Sequence, residues 1–334
     1  DMSNIPFTGY AQKINEISIG SGDYKTGFEN GVAAQKAKLT NITITNNGTY
    51  ISEDGYGEVV VNVAGGTTGS LALVDGTKLG YSTFTEIPYY YDFSNITDMY
   101  YMFNQCYYLQ NIPLIDTSNV TNMFGMFEHC TGLISIPQLD TSNVTNMKQM
   151  FYGCRNLISI PELDTSNVTD MNNMFLECIS LISIPELNTS NVTDMSGMFG
   201  YCTKLTTIPE LDTRNVTNMD SMFYNQMYNS NSQLISLPKI YCDSCNSMNI
   251  YFGTALMPNL TDVGGWINLN INWSDSYGLA KCPNLTYQSC INILNGIADV
   301  TELGSRTLKV HQNFLDTVGD EISIGTDKGW TITA

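Results

Sequence analysis

One feature constrains what this chain can fold into. Asn95, Asn119, Asn143, Asn167, Asn191 and Asn215 stand 24 residues apart, each followed by Val or Ile and then Thr. In the same phase run Met99, Met123, Met147, Met171, Met195 and Met219, and then a Met-Phe pair from Met102 and Phe103 to Met222 and Phe223. Five cysteines keep the spacing, Cys106, Cys130, Cys154, Cys178 and Cys202, followed by Leu109, Leu133, Leu157, Leu181 and Leu205. An Ile-Pro step closes each unit at Pro113, Pro137, Pro161, Pro185 and Pro209. Copies in register place each side chain beside its own kind one unit away, so a unit buries its apolar side only against its neighbours.

A 24-residue period lies within the roughly 20 to 29 residues of leucine-rich repeats. The expected fold is therefore an α/β repeat solenoid of leucine-rich-repeat type, short strands plus short helices, with a small N-terminal β-rich module. The Leu-x-x-Ile-Pro step reads as the strand, ended by a proline that cannot donate to a ladder. Met, Met-Phe and Cys at spacings of three and four read as a helical turn capped by the preceding Thr. About eight apolar positions per unit should face inward.

The spacing also divides the chain. Residues 92–224 form the regular array, with Phe84 to Pro88 as the strand step of an N-terminal cap over 71–91. Leu234, Leu260, Leu285 and Leu308 mark degenerate repeats over 225–307, with Asn225 to Gln233 as a bulging loop and 308–334 as the C-terminal cap. Gly65 to Ser70 is a linker by composition. Upstream, residues 1–64 form an attachment or oligomerisation module. In it Tyr24, Phe28 and Val32 fall on one side of a short helix, and Thr40 to Thr45, a turn at Asn46-Asn47-Gly48, and Glu58 to Val63 read as a hairpin.

Charge narrows the partners. Acids outnumber bases 32 to 14, a formal charge of -18, which repels phosphate backbones and anionic membranes. No apolar run is long enough for a membrane helix, and the start at Asp1 lacks the segments of a signal peptide. Neither nucleic acid nor membrane insertion is expected.

The stretch from Leu139 to Cys154 resembles the BspA-like surface leucine-rich repeats of bacterial surface lipoproteins and adhesins. That resemblance implies a cell-surface, non-enzymatic protein that binds host or neighbouring-cell macromolecules. The flanks, Thr43 to Tyr50, Asp54 to Tyr56, Val59 to Val63 and Ile324 to Thr331, resemble segments of tail and minor virion proteins of phages infecting gut bacteria. This second resemblance implies attachment to other virion proteins, or homo-oligomerisation, through the N-terminal module, with the array facing outward. The leading expectation is a phage tail or fibre protein contacting a host-surface protein or glycan; the alternative is a bacterial adhesin.

Motifs for catalysis are missing from the sequence. Of the two histidines, His129 occupies a slot filled elsewhere by Gln105, Gly153, Glu177 and Tyr201, and His311 stands by no nucleophile motif; both read as surface residues. No enzyme activity and no cofactor is expected. Cys242 and Cys245, with Cys282 and Cys290, could form a zinc site, a disulfide or unpaired thiols, the last being favoured, and no metal is expected. Asp116, Asp140, Asp164 and Asp212 form a column that could line up cations or cap turns, and the Thr-Ser-Asn or Thr-Arg-Asn after each favours turns. The Asn-x-Thr sequons likewise read as part of the turn. The candidate binding residues are the tyrosines of the first repeat, Tyr89, Tyr91, Tyr100, Tyr101, Tyr107 and Tyr108, which either recognise a partner or shield the end of the stack.

Overall fold

The computed structural model describes residues 17–19, 42–44, 71–72, 79, 85–87, 91–224, 232–246, 257–269, 279–304 and 306–334. Across 91–224 the chain is a repeat array in which each unit pairs with the next. Parallel bridges join Asp98 to Asn122, Asn122 to Asn146, Asn146 to Asp170, Asp170 to Asp194 and Asp194 to Asn218.

The interior follows the period. In one unit Leu139, Val144, Met147, Met150, Phe151, Cys154, Leu157 and Ile160 are all buried, the eight inward positions expected. The Phe column makes a continuous ring stack from Phe103 to Phe223, with centroids 5.5 to 6.1 Å apart and rings within 12° of parallel. Separations of that size mark offset stacking, the favoured arrangement of aromatic faces. The cysteines do more than fill space. Each thiol donates to a backbone carbonyl one unit earlier: Cys130 to Phe103, Cys154 to Phe127, Cys178 to Phe151 and Cys202 to Phe175, at 3.0 to 3.1 Å. All nine cysteines are buried and unbridged.

Two expectations are corrected. The bridges of the regular array fall one residue before the first Met of each unit, and the Leu-x-x-Ile-Pro step there is irregular backbone. That step does pair where the repeat is less regular, at Glu86 with Asn111 and at β5 (Ser236–Leu237) with β7 (Asp262–Val263), both parallel. The Met-to-Cys segment is not a helix either. Its amides alternate: those of Met147, Gln149, Phe151 and Gly153 donate to Asp170, Asn172, Met174 and Leu176 of the next unit, while those of Met150, Tyr152 and Cys154 close three-residue turns within their own. An α-helix would direct every amide to the carbonyl four residues back. Two left-handed residues per unit, such as Gln149 at φ 56° and Gly153 at φ 72°, break that path and turn alternate amides along the stack.

The N-terminal side of the array carries Leu79, which donates its amide to the Met102 carbonyl and accepts the Cys106 thiol, standing where a Phe stands in later units. Before it, β3 (Leu71–Ala72) pairs in parallel with β4 (Tyr91–Asp92). Farther upstream, β1 (Ile17–Ile19) pairs antiparallel with β2 (Ile42–Ile44), so the partner observed for the Thr40 to Thr45 run is Ile17–Ile19. The Glu58 to Val63 run, the Tyr24 to Val32 helix and the Gly65 to Ser70 linker lie outside the described residues, as does most of the Asn225 to Gln233 loop.

Past the array, the marker leucines Leu234, Leu260, Leu285 and Leu308 are all buried. β6 (Ile240–Tyr241) pairs with β8 (Trp266–Ile267), and β9 (Arg306–Lys309) with β10 (Trp330–Thr333), both in parallel. Helices appear only here among the described residues: α1 (Tyr287–Gly296), α2 (Gln312–Val318) and α3 (Ser323–Thr326). The Thr286 side chain caps α1 at its start, and Lys328 caps its end by donating to the carbonyls of Leu294, Asn295 and Ile297. His311 is the N-cap of α2, its Nδ1 accepting the Asn313 amide at 3.1 Å, which gives this histidine a structural part in place of a plain surface one.

Candidate binding face

Two edges of the array behave oppositely. On the Asp-Thr-Ser-Asn-Val-Thr edge the residues hardly change from unit to unit, and their polar atoms are committed to one another. The carboxylates of Asp116, Asp140 and Asp164 each accept the amide and hydroxyl of the Ser two residues on. Those bonds hold the three carboxyl groups below the usual range. Asn143, Asn167 and Asn191 donate their side-chain amides to Ser118, Ser142 and Ser166 one unit earlier. This edge is a turn-capping ladder, with the sequon amides already engaged. Among the described residues, no three His, Cys, Asp or Glu side chains come together as a metal would need.

The Met-to-Cys edge changes at every unit. The residue after the first Met is in turn Tyr100, Phe124, Lys148, Asn172, Ser196 and Asp220, and the one after Phe is Asn104, Glu128, Tyr152, Leu176, Gly200 and Tyr224. The repeats differ here and agree along the Asp-Thr-Ser-Asn-Val-Thr edge, so the repeat does not dictate which residues stand here. Their side chains contact one another along the stack. Tyr100 stacks on Phe124 at 5.0 Å, Tyr101 meets both rings edge-on, and the Lys148 ammonium lies over Phe124 at 5.8 Å. The Tyr101 hydroxyl donates to Gln149, 48 residues on, at 3.3 Å. His129 packs against Tyr152 at 4.7 Å, Arg155 pairs with Glu177 at 2.6 Å, and Tyr201 meets Tyr224 edge-on at 5.1 Å.

Glycines make room for side chains along this edge. A Cβ on Gly125 would lie 2.2 Å from the Tyr101 ring, one on Gly153 2.2 Å from His129, and one on Gly197 2.0 Å from Asn173. Each glycine has φ between 58° and 72°, and each lets the larger side chain of the preceding unit fold down over it.

Burial tunes the ionisable groups here. Burial pushes the Glu128 carboxyl up. His129 is pushed down by burial, with Glu177 opposing and Arg155 adding to the shift, so it is a half-buried neutral ring and not the free surface histidine expected. Tyr201 is raised to about 12, first by burial and then by its hydrogen bond with Tyr224.

The structure divides the expected tyrosine cluster. Tyr100 and Tyr101 sit together on the variable edge with ring centroids 4.5 Å apart. Tyr107 and Tyr108 are exposed beyond the Cys corner, where the Tyr107 hydroxyl donates to Gln105. Tyr91 lends its backbone to β4, and Tyr89 lies outside the described residues. Phe124, His129, Tyr152, Tyr201 and Tyr224 were missed, although their unit-to-unit variation at fixed positions was readable. A concavity of about 410 Å³ opens beside Asn188, Asp212, Arg214 and Tyr241. Its one cation, Arg214, is held by Asp212 at 2.5 Å.

A family described as "Mycoplasma protein of unknown function, DUF285" matches three overlapping stretches, residues 80–175, 126–237 and 157–262. Together they cover more than half of the chain and the whole of its regular array. No curated protein matches it.

Proposed function

This chain belongs to the DUF285 family, a repeat protein of the BspA-like type, and from that premise we propose that it is a non-enzymatic solenoid of leucine-rich-repeat kind that binds a macromolecule at a cell surface. The observation that carries the reading is the division of labour between edges. The constant edge repeats one set of polar residues bonded to one another, and the variable edge presents aromatic, amide and charged side chains that change from unit to unit. The parallel bridges from unit to unit and the continuous Phe stack support the solenoid.

Fluorescently labelled chain incubated with intact host or bacterial cells tests the function. Saturable adhesion, with no new reducing ends or peptide fragments released, is the expected result; turnover of a surface polymer, or no saturable adhesion, sinks it. The flanking resemblances favour a phage tail as carrier and contact with the host surface as the task. Co-purification with virions would sustain that version, and a bacterial surface location would replace it with an adhesin.

A further inference from the structure

We propose that the variable edge binds a linear, uncharged glycan laid along the stack, one sugar ring per repeat. The proposal rests on the surface-binding function above and names its ligand class.

Chemistry points first to sugars. Apart from Phe93 and the buried Phe column, every aromatic residue between 92 and 224 lies on the Met-to-Cys edge or just past its Cys corner. The rings alternate with side-chain amides and hydroxyls, as at Gln149, Asn172, Asn173 and Ser196, each held in place by a hydrogen bond to a neighbour on the same edge. Flat rings interleaved with planar hydrogen-bonding groups suit pyranose faces and their hydroxyls, whereas a protein partner favours a packed apolar centre.

Geometry supplies the second argument. Bridged units advance by the spacing of hydrogen-bonded strands, roughly 4.7–4.9 Å. A pyranose advances its chain by about the same distance, so successive sugars meet successive repeats in phase. An extended peptide presents same-side residues every two positions, roughly 6.6 Å, and drifts out of phase within a few units. The glycines add pre-organisation, since Tyr101, His129 and Asn173 are packed against Gly125, Gly153 and Gly197 before any ligand arrives.

Charge selects among glycans. Three of the four bases between 92 and 224, Lys148, Arg155 and Lys204, lie on this edge or its Cys corner, against six acids there, Asp98, Glu128, Asp170, Glu177, Asp194 and Asp220, so the edge is net acidic and disfavours anionic glycans. Most of the array's remaining acids lie elsewhere, the Asp116 row among them, and repel anionic polymers.

The test is binding of the intact chain to immobilised neutral oligosaccharides of glucose, mannose, galactose and N-acetylglucosamine, each from disaccharide to hexasaccharide, with sulfated and sialylated chains as comparators. Affinity should rise with each added sugar, and Tyr100→Ala and Tyr152→Ala should each cost roughly tenfold. Ile134→Ser and Ile158→Ser, on another exposed edge, should change nothing; all four variants are first checked for wild-type thermal melting. Binding of no neutral glycan, binding indifferent to length, or binding lost with the Ile variants overturns the proposal. Adhesion to cells that survives periodate but not protease would also overturn it, while leaving the surface-binding function standing.

Discussion

The thiol of Cys154 donates to the carbonyl of Phe127, 27 residues earlier, at 3.0 Å, inside a column where every Cys repeats the bond. A free cysteine thus serves both as apolar filling and as the donor that satisfies a buried carbonyl. Burial pushes the thiols of Cys130, Cys154, Cys178 and Cys202 up, Cys202 to about 12, and raises Cys282 outside the column to about 12, so they are protonated in the folded state at pH values where the unfolded chain has lost the proton. A folded pKa above the unfolded one, roughly 8.5, contributes stability that is complete below about pH 8.5 and is lost as pH rises toward about 12. Denaturant unfolding from pH 8 upward should show that decline. Cys202→Ala should flatten it by about 1.4 kcal/mol per pH unit; an unchanged slope would contradict the assignment.

Phe151 lies between Phe127 at 5.9 Å and Phe175 at 5.7 Å and is wholly buried. Phe151→Ala should cost about 3–5 kcal/mol, because it opens a cavity and breaks two stacking contacts in mid-array. Val144→Ala, which removes less buried volume and leaves the ring stack whole, should cost less. Equilibrium unfolding of the two variants compares them directly.

His129 and Gly153 are coupled across one repeat. Gly153→Ala adds a Cβ that would lie 2.2 Å from the imidazole at a position with φ 72°, so it should destabilise by about 1–3 kcal/mol. Combining it with His129→Ala removes the obstacle, and the double variant should be less damaged than the two single effects summed. Strict additivity in that cycle would show that the ring does not lie where it is described.

Thr165 and Thr141 occupy equivalent positions with different bonding. The Thr165 hydroxyl donates to the Asn188 carbonyl at 2.9 Å, whereas the buried Thr141 hydroxyl has no partner among the described residues. Thr165→Val should cost about 1 kcal/mol, and Thr141→Val should be neutral or stabilising. Thermal melting of the pair would refute the distinction if the two shifts were equal.

The aspartate column should not be a cation row, since Asp116, Asp140 and Asp164 each spend Oδ1 on two hydrogen bonds within their own turn. Calcium or a chelator should leave the melting temperature unchanged; a rise with calcium would reverse the reading.

Sequence alone determined which side chains face inward. A side chain that recurs every 24 residues meets its copy, so Met147, Phe151, Cys154 and Leu157 could be assigned to the interior without coordinates. It also marked the Asp turns and the leucines of the less regular part. Tertiary structure alone decided the backbone path between those side chains. The spacing of Met147, Met150, Phe151 and Cys154 fits a helical turn, but a helix bonds along its own chain, and here Met147, Gln149, Phe151 and Gly153 donate to the next repeat. The same holds for the binding face. Tyr100 was visible as an aromatic, yet its partnership with Phe124 and the packing of His129 against Gly153 exist only between repeats, where residues 24 apart in sequence become neighbours.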